Sequence, residues 1–260
     1  MKYLRVWKQL TNCAFSTYAS NRIESATFLA AKLMRFGFLG LMIISLFRFT
    51  ATFAGYTRYE ALLFFLTFNL VDVLSQALFR GIYLFARDVN RGNFDFALTK
   101  PVSPLFLSLL RLTDILDIIF LIPIIGLLLY VITQLAIPIT VAMMLRFIFF
   151  LAVGFIISVS IHILSAVMTL WTLESDNVIW FYRRATVVGA FPPEILAPGW
   201  QLFFTFVLPI ILMMSFPAKA LLGILTPPQT FTALAVAAFF FGGSLLLWRA
   251  SLKHYSSASS

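Results

Sequence analysis

Six apolar stretches of about 20 residues each constrain the fold of this chain more than any other feature. A helix of that length crosses the hydrocarbon core of a bilayer, which is roughly 30 Å thick. Hydrophobic residues make up 61% of the sequence and charged residues only 11%, which excludes an ordinary soluble domain. We therefore predict an all-α integral membrane protein with six transmembrane helices. The predicted spans are about Phe36–Ala54, Ala61–Phe85, Ile115–Thr133, Val141–Trp171, Trp200–Phe216 and Phe231–Trp248.

The basic residues predict how these helices are oriented. With both termini in the cytoplasm, 15 of the 19 Lys and Arg residues fall on the cytoplasmic side. The other four are Arg48, Arg58, Arg146 and Lys219. Cytoplasmic loops are enriched in Lys and Arg, so this bias favours a multi-pass protein with both termini inside. The bases flank apolar spans instead of clustering on a soluble domain, so we expect no nucleic-acid partner despite the net charge of +9.

The first 20 residues form a predicted amphipathic helix, residues 1–20, before the first span. Its apolar face is Tyr3, Trp7, Leu10, Ala14 and Tyr18. This face either lies in the cytoplasmic membrane interface or packs on the protein's own spans. Asn21, followed three residues later by Glu24, is typical of a helix N-cap, so we expect a new helix to begin there.

Three connections between the spans have features of their own. The stretch from Arg87 to Arg111 is charged and broken by Gly and Pro, and it contains the predicted cytoplasmic loop 87–104. The second large cytoplasmic loop is 172–199, predicted as a short amphipathic helix and a Pro-rich entry into the fifth span. The segment 217–228 is apolar with Pro at both ends, and we expect it to re-enter the membrane between helices 5 and 6. The alternative for 217–228 is an ordinary extracellular loop with a short surface helix.

Polar residues inside the spans are candidates for a pathway. In the second span four of them share one helical face, Asn69, Asp72, Gln76 and Arg80. A carboxylate in a membrane is costly, so Asp72 either lines a pathway or serves as a structural hydrogen-bonding group. A weaker stripe in the fourth span consists of Ser158, His162, Ser165 and Thr169. His162 either titrates near neutral pH or bonds across helices.

Charged residues also begin the third span. Arg111, Asp114 and Asp117 recur every three residues just before the apolar run. We predict that they lie at or below the membrane interface, with Arg111 and Asp114 paired across one helical turn.

Motifs for intrinsic catalysis are absent from the sequence. It contains no G-x-x-x-x-G-K-[ST] phosphate-binding loop, no H-E-x-x-H, no G-x-S-x-G and no C-x-x-C. Two His and one Cys are too few for a typical zinc site. We therefore expect no enzymatic activity, cofactor or metal in this chain, and any ATP would be hydrolysed on a partner.

Two segments of the sequence resemble ABC-2 type exporter permeases. GNFDFALTKPVSPLF, Gly92–Phe106, is similar to the loop after the second span in one branch of that family. The residues that carry this likeness are Gly92, Asp95, Leu98, Lys100, Pro101, Val102 and Pro104. FVLPIILMMSFPAKALLG, Phe206–Gly223, is similar to that branch's fifth span with its internal Pro and its Phe-Pro-Ala exit. Six spans after a cytoplasmic helix extend the resemblance over the whole chain, as one transmembrane domain, 1–260.

The resemblance implies partners. A permease of this kind has no ATPase of its own; a cytoplasmic ABC ATPase subunit binds ATP and Mg. The second permease is either another copy or a related chain. Asp88–Thr99 would be the coupling helix that docks in the ATPase, with the amino-terminal helix beside it and Thr172–Pro193 as a smaller contact. The implied coupling residues are Asp88, Arg91, Gly92, Phe94, Asp95, Phe96, Leu98, Lys100 and Pro101.

The sequence therefore predicts the permease subunit of an ATP-driven exporter in a bacterial inner membrane, surrounded by membrane lipid. The expected substrate is lipid-linked, amphipathic or polymeric, because the interior carries few charges. The candidate pathway or interface residues are Asn69, Asp72, Gln76 and His162. One alternative is a proton-coupled secondary transporter that uses Asp72 and His162, and another is a non-transporting membrane scaffold.

Overall fold

A computed structural model describes residues 2–172 and 176–255 of the chain. The first residue of the predicted amino-terminal helix, residues 173–175 of the predicted loop 172–199 and the last five residues of the domain lie outside this part. All regular elements that the described residues form are helices. Twelve of these are α-helical: α1 Lys2–Ser20, α2 Arg22–Leu46, α3 Arg58–Phe79, α4 Phe85–Asn90, α5 Asn93–Leu98, α6 Pro104–Leu110, α7 Ile115–Thr133, α8 Val141–Thr172, α9 Asp176–Ala185, α10 Pro198–Leu202, α11 Phe216–Leu221 and α12 Pro227–His254.

Five helical segments among the described residues are long and apolar enough to span a membrane: α2, Arg58–Asn90, α7, α8 and α12. The third predicted span coincides with α7, and the fourth differs from α8 by one residue at its end. α2 begins well before the predicted span, because the helix includes Lys32 and Arg35. It ends at Leu46, before the predicted end at Ala54. The predicted boundary at Asn21 is confirmed, but the Asn21 side chain makes no cap hydrogen bond, so the predicted cap is wrong.

The predicted fifth span, Trp200–Phe216, is not one straight helix. Helical segments Pro198–Val207 and Ile211–Leu221 meet at an angle of 87°. Pro209 lies at the break, where it lacks an N–H donor and its ring prevents a continuous helix. Short π-helical turns, Phe203–Val207 and Ile211–Ser215, flank the break on both sides. The helix that follows, α11, occupies the first part of the segment predicted as 217–228.

The second arm of this bent pair runs antiparallel to the first half of α8. Near the middle of α8, a Cβ atom on Gly154 would lie 2.4 Å from the backbone oxygen of Met213. Near its start, a Cβ atom on Gly223 would lie 2.8 Å from Met143. The chain from 213 to 223 therefore runs from the middle of the bundle toward the end where α8 begins.

The segment before the bent pair also runs antiparallel to α8. Tyr182 of α9 packs its ring against His162, in the second half of α8, with centroids 5.6 Å apart. Farther along, Glu194 forms an ion pair with Lys219 of α11 at 2.5 Å. The chain from 182 to 194 thus passes from the level of His162 to the level of α11. Pro198–Val207 then leads into Ile211–Leu221, which it meets at 87°.

Both described ends of the chain lie at one face of the bundle, which we call the terminal face. The Lys2 ammonium donates a hydrogen bond to the backbone oxygen of Pro101. The Tyr255 hydroxyl bonds the Asp95 carboxylate at 3.0 Å. The opposite face, where α8 and α12 begin, is the distal face.

The predicted apolar face of α1 packs on the protein. Tyr3 contacts the ring of Phe106 at 5.0 Å between centroids, and Trp7 donates a hydrogen bond to Thr113 at 3.1 Å. Ala14 on the same face is buried. Of the two alternatives left open by the sequence, the contacts therefore support packing on the protein's own helices.

Candidate functional site

The loop between α3 and α7 folds as short helices instead of one coupling helix. α4 and α5 are separated by Gly92, whose φ of +70° lies in the left-handed region that glycine adopts without a Cβ penalty. Pro104 occupies the first turn of α6, where its missing N–H costs nothing. The sequence between the two helical spans is therefore held as a compact, turn-rich segment at the terminal face.

Aromatic rings attach this segment to the last helix. Phe94 is 2% exposed and packs edge-on against Phe85 at 5.1 Å and against Tyr255 at 5.3 Å. Trp248 of α12 lies 6.3 Å from Phe94, measured between ring centroids. The hydroxyl of Tyr255 bonds Asp95. We call Phe85, Phe94, Trp248 and Tyr255 the aromatic anchor.

Residues on the other side of the same segment face outward. Phe96 is 69% exposed and Leu98 is 40% exposed. Arg87, Arg91 and Lys100, which are close to them in the sequence, are also exposed. The segment thus exposes apolar and basic side chains together, which suits a partner surface with apolar and acidic residues.

Asp88 and Arg111 form an ion pair beneath this segment. The Asp88 carboxylate is buried, and the Arg111 guanidinium donates to it. The predicted pairing of Arg111 with Asp114 is therefore wrong. Asp114 instead caps α7 by accepting from the backbone N–H groups of Leu116 and Asp117, and Arg80 lies 3.6 Å from its second oxygen. The charged partners, Asp88 for Arg111 and Arg80 for Asp114, lie in other helical segments, so spacing along one helix does not predict them.

The predicted polar face of the second span lines a small, partly open cavity of about 40 Å³. Asn69, Asp72 and Gln76 contribute to its wall. That volume is room for about one water molecule. The structure therefore brings together three of the four predicted pathway or interface residues.

Charged side chains from other helices complete the same cavity wall. They are Lys32, Arg35, Asp117 and Arg183. Lys32 of α2 pairs with Asp117 of α7, and Asp117 is almost fully buried. Sequence analysis missed these partners, because Lys32 and Arg183 are informative about orientation but carry no local motif that assigns them to Asp72. The cavity wall combines three cations and two carboxylates within the span region.

His162 has a different environment from the predicted one. Its Nδ1 lies 2.8 Å from the backbone oxygen of Ser158 on its own helix, so the bond that the structure shows is not a bond across helices. Its ring is fully buried between Phe79 and Tyr182. The structure places it in packing between α3, α8 and α9, whereas Asp72 lines the cavity.

Among residues 2–172 and 176–255, no three His, Cys, Asp or Glu side chains gather in a group that could hold a metal ion. The described residues instead form ion pairs, namely Lys32–Asp117, Arg80–Asp114, Arg111–Asp88 and Lys219–Glu194. Such pairs can hold helices together or separate during a conformational change, and neither use requires a cofactor.

Comparison with known proteins identifies the family. The family described as ABC-2 family transporter protein matches residues 33–259. Searches of curated proteins and of solved structures found no match. The family match covers all the membrane-span candidates except the start of α2, together with the segment at the terminal face. The chain therefore belongs to the ABC-2 family of transporter proteins.

Proposed function

We propose that this chain is the permease subunit of an ATP-driven exporter, and that the exposed patch around Phe96 docks a separate ABC ATPase. The single observation that carries this proposal is the opposite exposure of two phenylalanines within one short segment. Phe94 is 2% exposed and tied to the aromatic anchor, whereas Phe96, two residues later, is 69% exposed. An exposed aromatic on an anchored segment is a typical protein-binding feature.

The proposal refines the roles expected from the resemblance. Phe96, Leu98, Arg91 and Lys100 would touch the ATPase, and the left-handed turn at Gly92 sets their direction. Asp88 and Phe94 are buried and would act from beneath, by holding the segment's shape. Asp95 would do the same through Tyr255. Closure of the ATPase would then move α4 and α5 and, through them, the spans on either side.

The docking experiment compares two exposed phenylalanines on purified permease mixed with its ATPase. Phe96→Ala should weaken binding by about thirtyfold or more, because hot-spot aromatics at interfaces cost at least about 2 kcal/mol when truncated. Phe15→Ala removes a ring that is 59% exposed on α1, and it should leave binding unchanged. Binding by Phe96→Ala at the wild-type level would refute this docking site.

The same proposal includes a membrane topology. With the terminal face in the cytoplasm, the segment 176–195 would be the fifth crossing. Pro198–Val207 and Ile211–Leu221 would form a re-entrant pair that enters and leaves at the distal face. This arrangement follows the path along α8 and α11 and leaves α12 to return to the cytoplasm. It replaces the expected fifth span Trp200–Phe216 and shifts the expected re-entrant segment from 217–228 to 198–221.

Ile195 distinguishes the two topologies. It is 50% exposed, and it would lie outside under the proposed arrangement and in the cytoplasm if 172–199 were a cytoplasmic loop. In a Cys13→Ser background, Ile195→Cys in intact cells should react with an impermeant thiol reagent. In the wild-type chain, the native Cys13, which is exposed on α1, should react only after the cells are opened. Protection of Ile195→Cys in intact cells, with labelling after opening, would contradict the proposed crossing.

The proposed substrate remains amphipathic, lipid-linked or polymeric, and the partner permease is a second copy or a related chain. The cavity wall offers three cations and two carboxylates, so it would suit a zwitterionic group better than an unaccompanied cation. In this proposal ATP and Mg are bound by the ATPase. A complex that hydrolyses ATP without moving any amphiphile between leaflets of a vesicle would refute the transport proposal.

A further inference from the structure

A second, larger pocket lies where α1 turns into α2, and the proposed coupling segment does not use it. Its volume is about 350 Å³, within the range of pockets that bind small molecules. Apolar side chains form one side, among them Phe28, Leu112 and Leu116. Hydroxyl, amide and carboxylate groups of the α1–α2 turn form the other side. We call this space the elbow pocket.

The charges of the elbow pocket are few and fixed. Arg80 lies over the Phe28 ring at 5.5 Å and is held by Asp114 at 3.6 Å, yet 23% of its side chain is exposed. Asp114 itself is fully buried. Glu24, in the first turn of α2, is an exposed carboxylate that lines the pocket. One cation and two carboxylates give a formal charge of −1, with Glu24 the more accessible of the two acids.

The position of the pocket relates it to the lipid headgroups. α2 and α7 both begin beside it, so it lies at the end of two span candidates. The side chains of Tyr18 and Ser25 are partly buried there, and Ser25 bonds the Tyr18 backbone oxygen at 3.0 Å. Burial, followed by the charge of Asp114, raises the pKa of Tyr18 to about 12, so its phenol stays a hydrogen-bond donor. Apolar on one side and polar on the other, the pocket has the character of the bilayer interface.

We propose that the elbow pocket binds an amine-bearing zwitterionic phospholipid, with its ammonium on Glu24, its phosphate beside Arg80 and its first methylenes on Phe28. A primary ammonium donates charge-assisted hydrogen bonds to a carboxylate, which a quaternary choline cannot do. The phosphate finds the exposed part of the Arg80 guanidinium together with hydroxyl donors of the rim. An anionic headgroup without an amine would meet the net negative charge and lack a partner for Glu24.

Lipid binding in the elbow pocket does not depend on ATPase docking at Phe96. It concerns a resident lipid at the base of α1 and needs only that the chain lies in a membrane. A failure of ATPase docking would leave it intact. A bound lipid here would brace the turn between α1 and α2.

The experiment measures lipid retained by the purified full chain in native mass spectrometry. Phosphatidylethanolamine, phosphatidylcholine and phosphatidylglycerol are supplied in equal amounts with the same acyl chains. The wild type should retain phosphatidylethanolamine over the other two. Glu24→Gln should lower that retention about tenfold, since a charge-assisted hydrogen bond to an ion is worth about 1.5–3 kcal/mol.

Control variants separate the pocket from general electrostatics. Glu24→Asp keeps the carboxylate and should restore the preference in part. Arg5→Gln removes an exposed base elsewhere on α1 and should change nothing. Equal retention of the three lipids, a preference for phosphatidylglycerol, or an ethanolamine preference that survives Glu24→Gln would each overturn the proposal. Because Glu24 is exposed, its substitution should leave the pair of Arg80 and Asp114 in place and the chain folded.

Discussion

α2 and the helical run Arg58–Asn90, which α3 begins, are neighbours of nearly equal mean hydropathy, 1.7 and 1.8. They differ sharply in environment, since 11% of the most apolar window of α2 is buried in the chain against 67% for Arg58–Asn90. Phe38 of α2 is 75% exposed, whereas Phe64 of α3 is fully buried. Two helices that a hydropathy scale cannot distinguish therefore differ in how much of their surface is buried within the chain.

Polar residues account for the difference. α3 carries buried Asn69, Ser75 and Gln76, and the Ser158 hydroxyl of α8 donates a hydrogen bond to Ser75 at 2.8 Å. In lipid, such groups need partners in neighbouring helices, so a helix that carries them is drawn to the centre of a bundle. α2 has few polar groups beyond its first turns, so lipid or a second permease can cover its outer face without cost. Hydropathy thus predicts which helices can span a membrane. A row of polar residues, as on α3, indicates which of these helices is buried among the others.

The largest expected effect concerns the charge pair that attaches α2 to the rest. Asp117→Asn leaves the Lys32 ammonium, whose side chain is only 14% exposed, without its carboxylate. Removing one partner of a buried ion pair typically costs about 3–5 kcal/mol. We expect that loss in the free energy of unfolding, measured by titration of mixed micelles with a denaturing detergent.

A double variant tests whether the charge itself is responsible. Lys32→Met combined with Asp117→Leu leaves no stranded charge, so it should recover most of the lost stability. If Asp117→Asn unfolds like the wild type, the pair does not hold α2, and α2 depends on ring packing such as that of Phe36 on Phe65, 5.2 Å between centroids.

A second prediction compares one phenylalanine from each helix. Phe64→Ala in α3 opens a cavity in a packed interior and should cost about 3 kcal/mol. Phe38→Ala in α2 removes a ring that touches little of this chain, and the change should stay within about 0.5 kcal/mol. The same detergent titration measures both variants. A large loss for Phe38→Ala that grows with protein concentration would show instead that a second permease packs on α2.

The sequence predicted the helices whose signal is local and missed those that depend on distant partners. α7 and α8 were found almost to the residue, because uninterrupted apolar runs need no help from the rest of the chain. The short helix predicted within 172–199 is present as α9, Asp176–Ala185. The path of this segment along α8 was not predicted, because the segment is short, carries Arg183 and Arg184, and contains Pro192 and Pro193.

The candidate site shows the same division. Asn69, Asp72 and Gln76 were grouped correctly, because they lie on one helix with helical spacing. The partner of Arg111 was not predictable in this way. Its carboxylate, Asp88, lies 23 residues earlier on another helix, and only the fold brings them together. Burial was equally hidden in the pair Phe94 and Phe96, which are the same residue type on one six-residue helix with opposite exposure.

The smallest predicted effect compares two glycines and should differ in sign between the helices. A Cβ atom on Gly81, just after α3, would lie 2.7 Å from the Ser108 backbone oxygen and 3.0 Å from that of Leu109. A Cβ atom on Gly37 of α2 would meet nothing within 4 Å. Because backbone atoms cannot move aside cheaply, Gly81→Ala should destabilise the fold by about 1–2 kcal/mol. Gly37→Ala should instead stabilise it by about 0.5–1 kcal/mol, since alanine loses less conformational freedom in a helix. Thermal unfolding of the two variants beside the wild type measures both shifts. A loss of stability in Gly37→Ala would mean that another chain approaches α2 closely at this position, and that the exposed helix of the pair is covered in the assembled transporter.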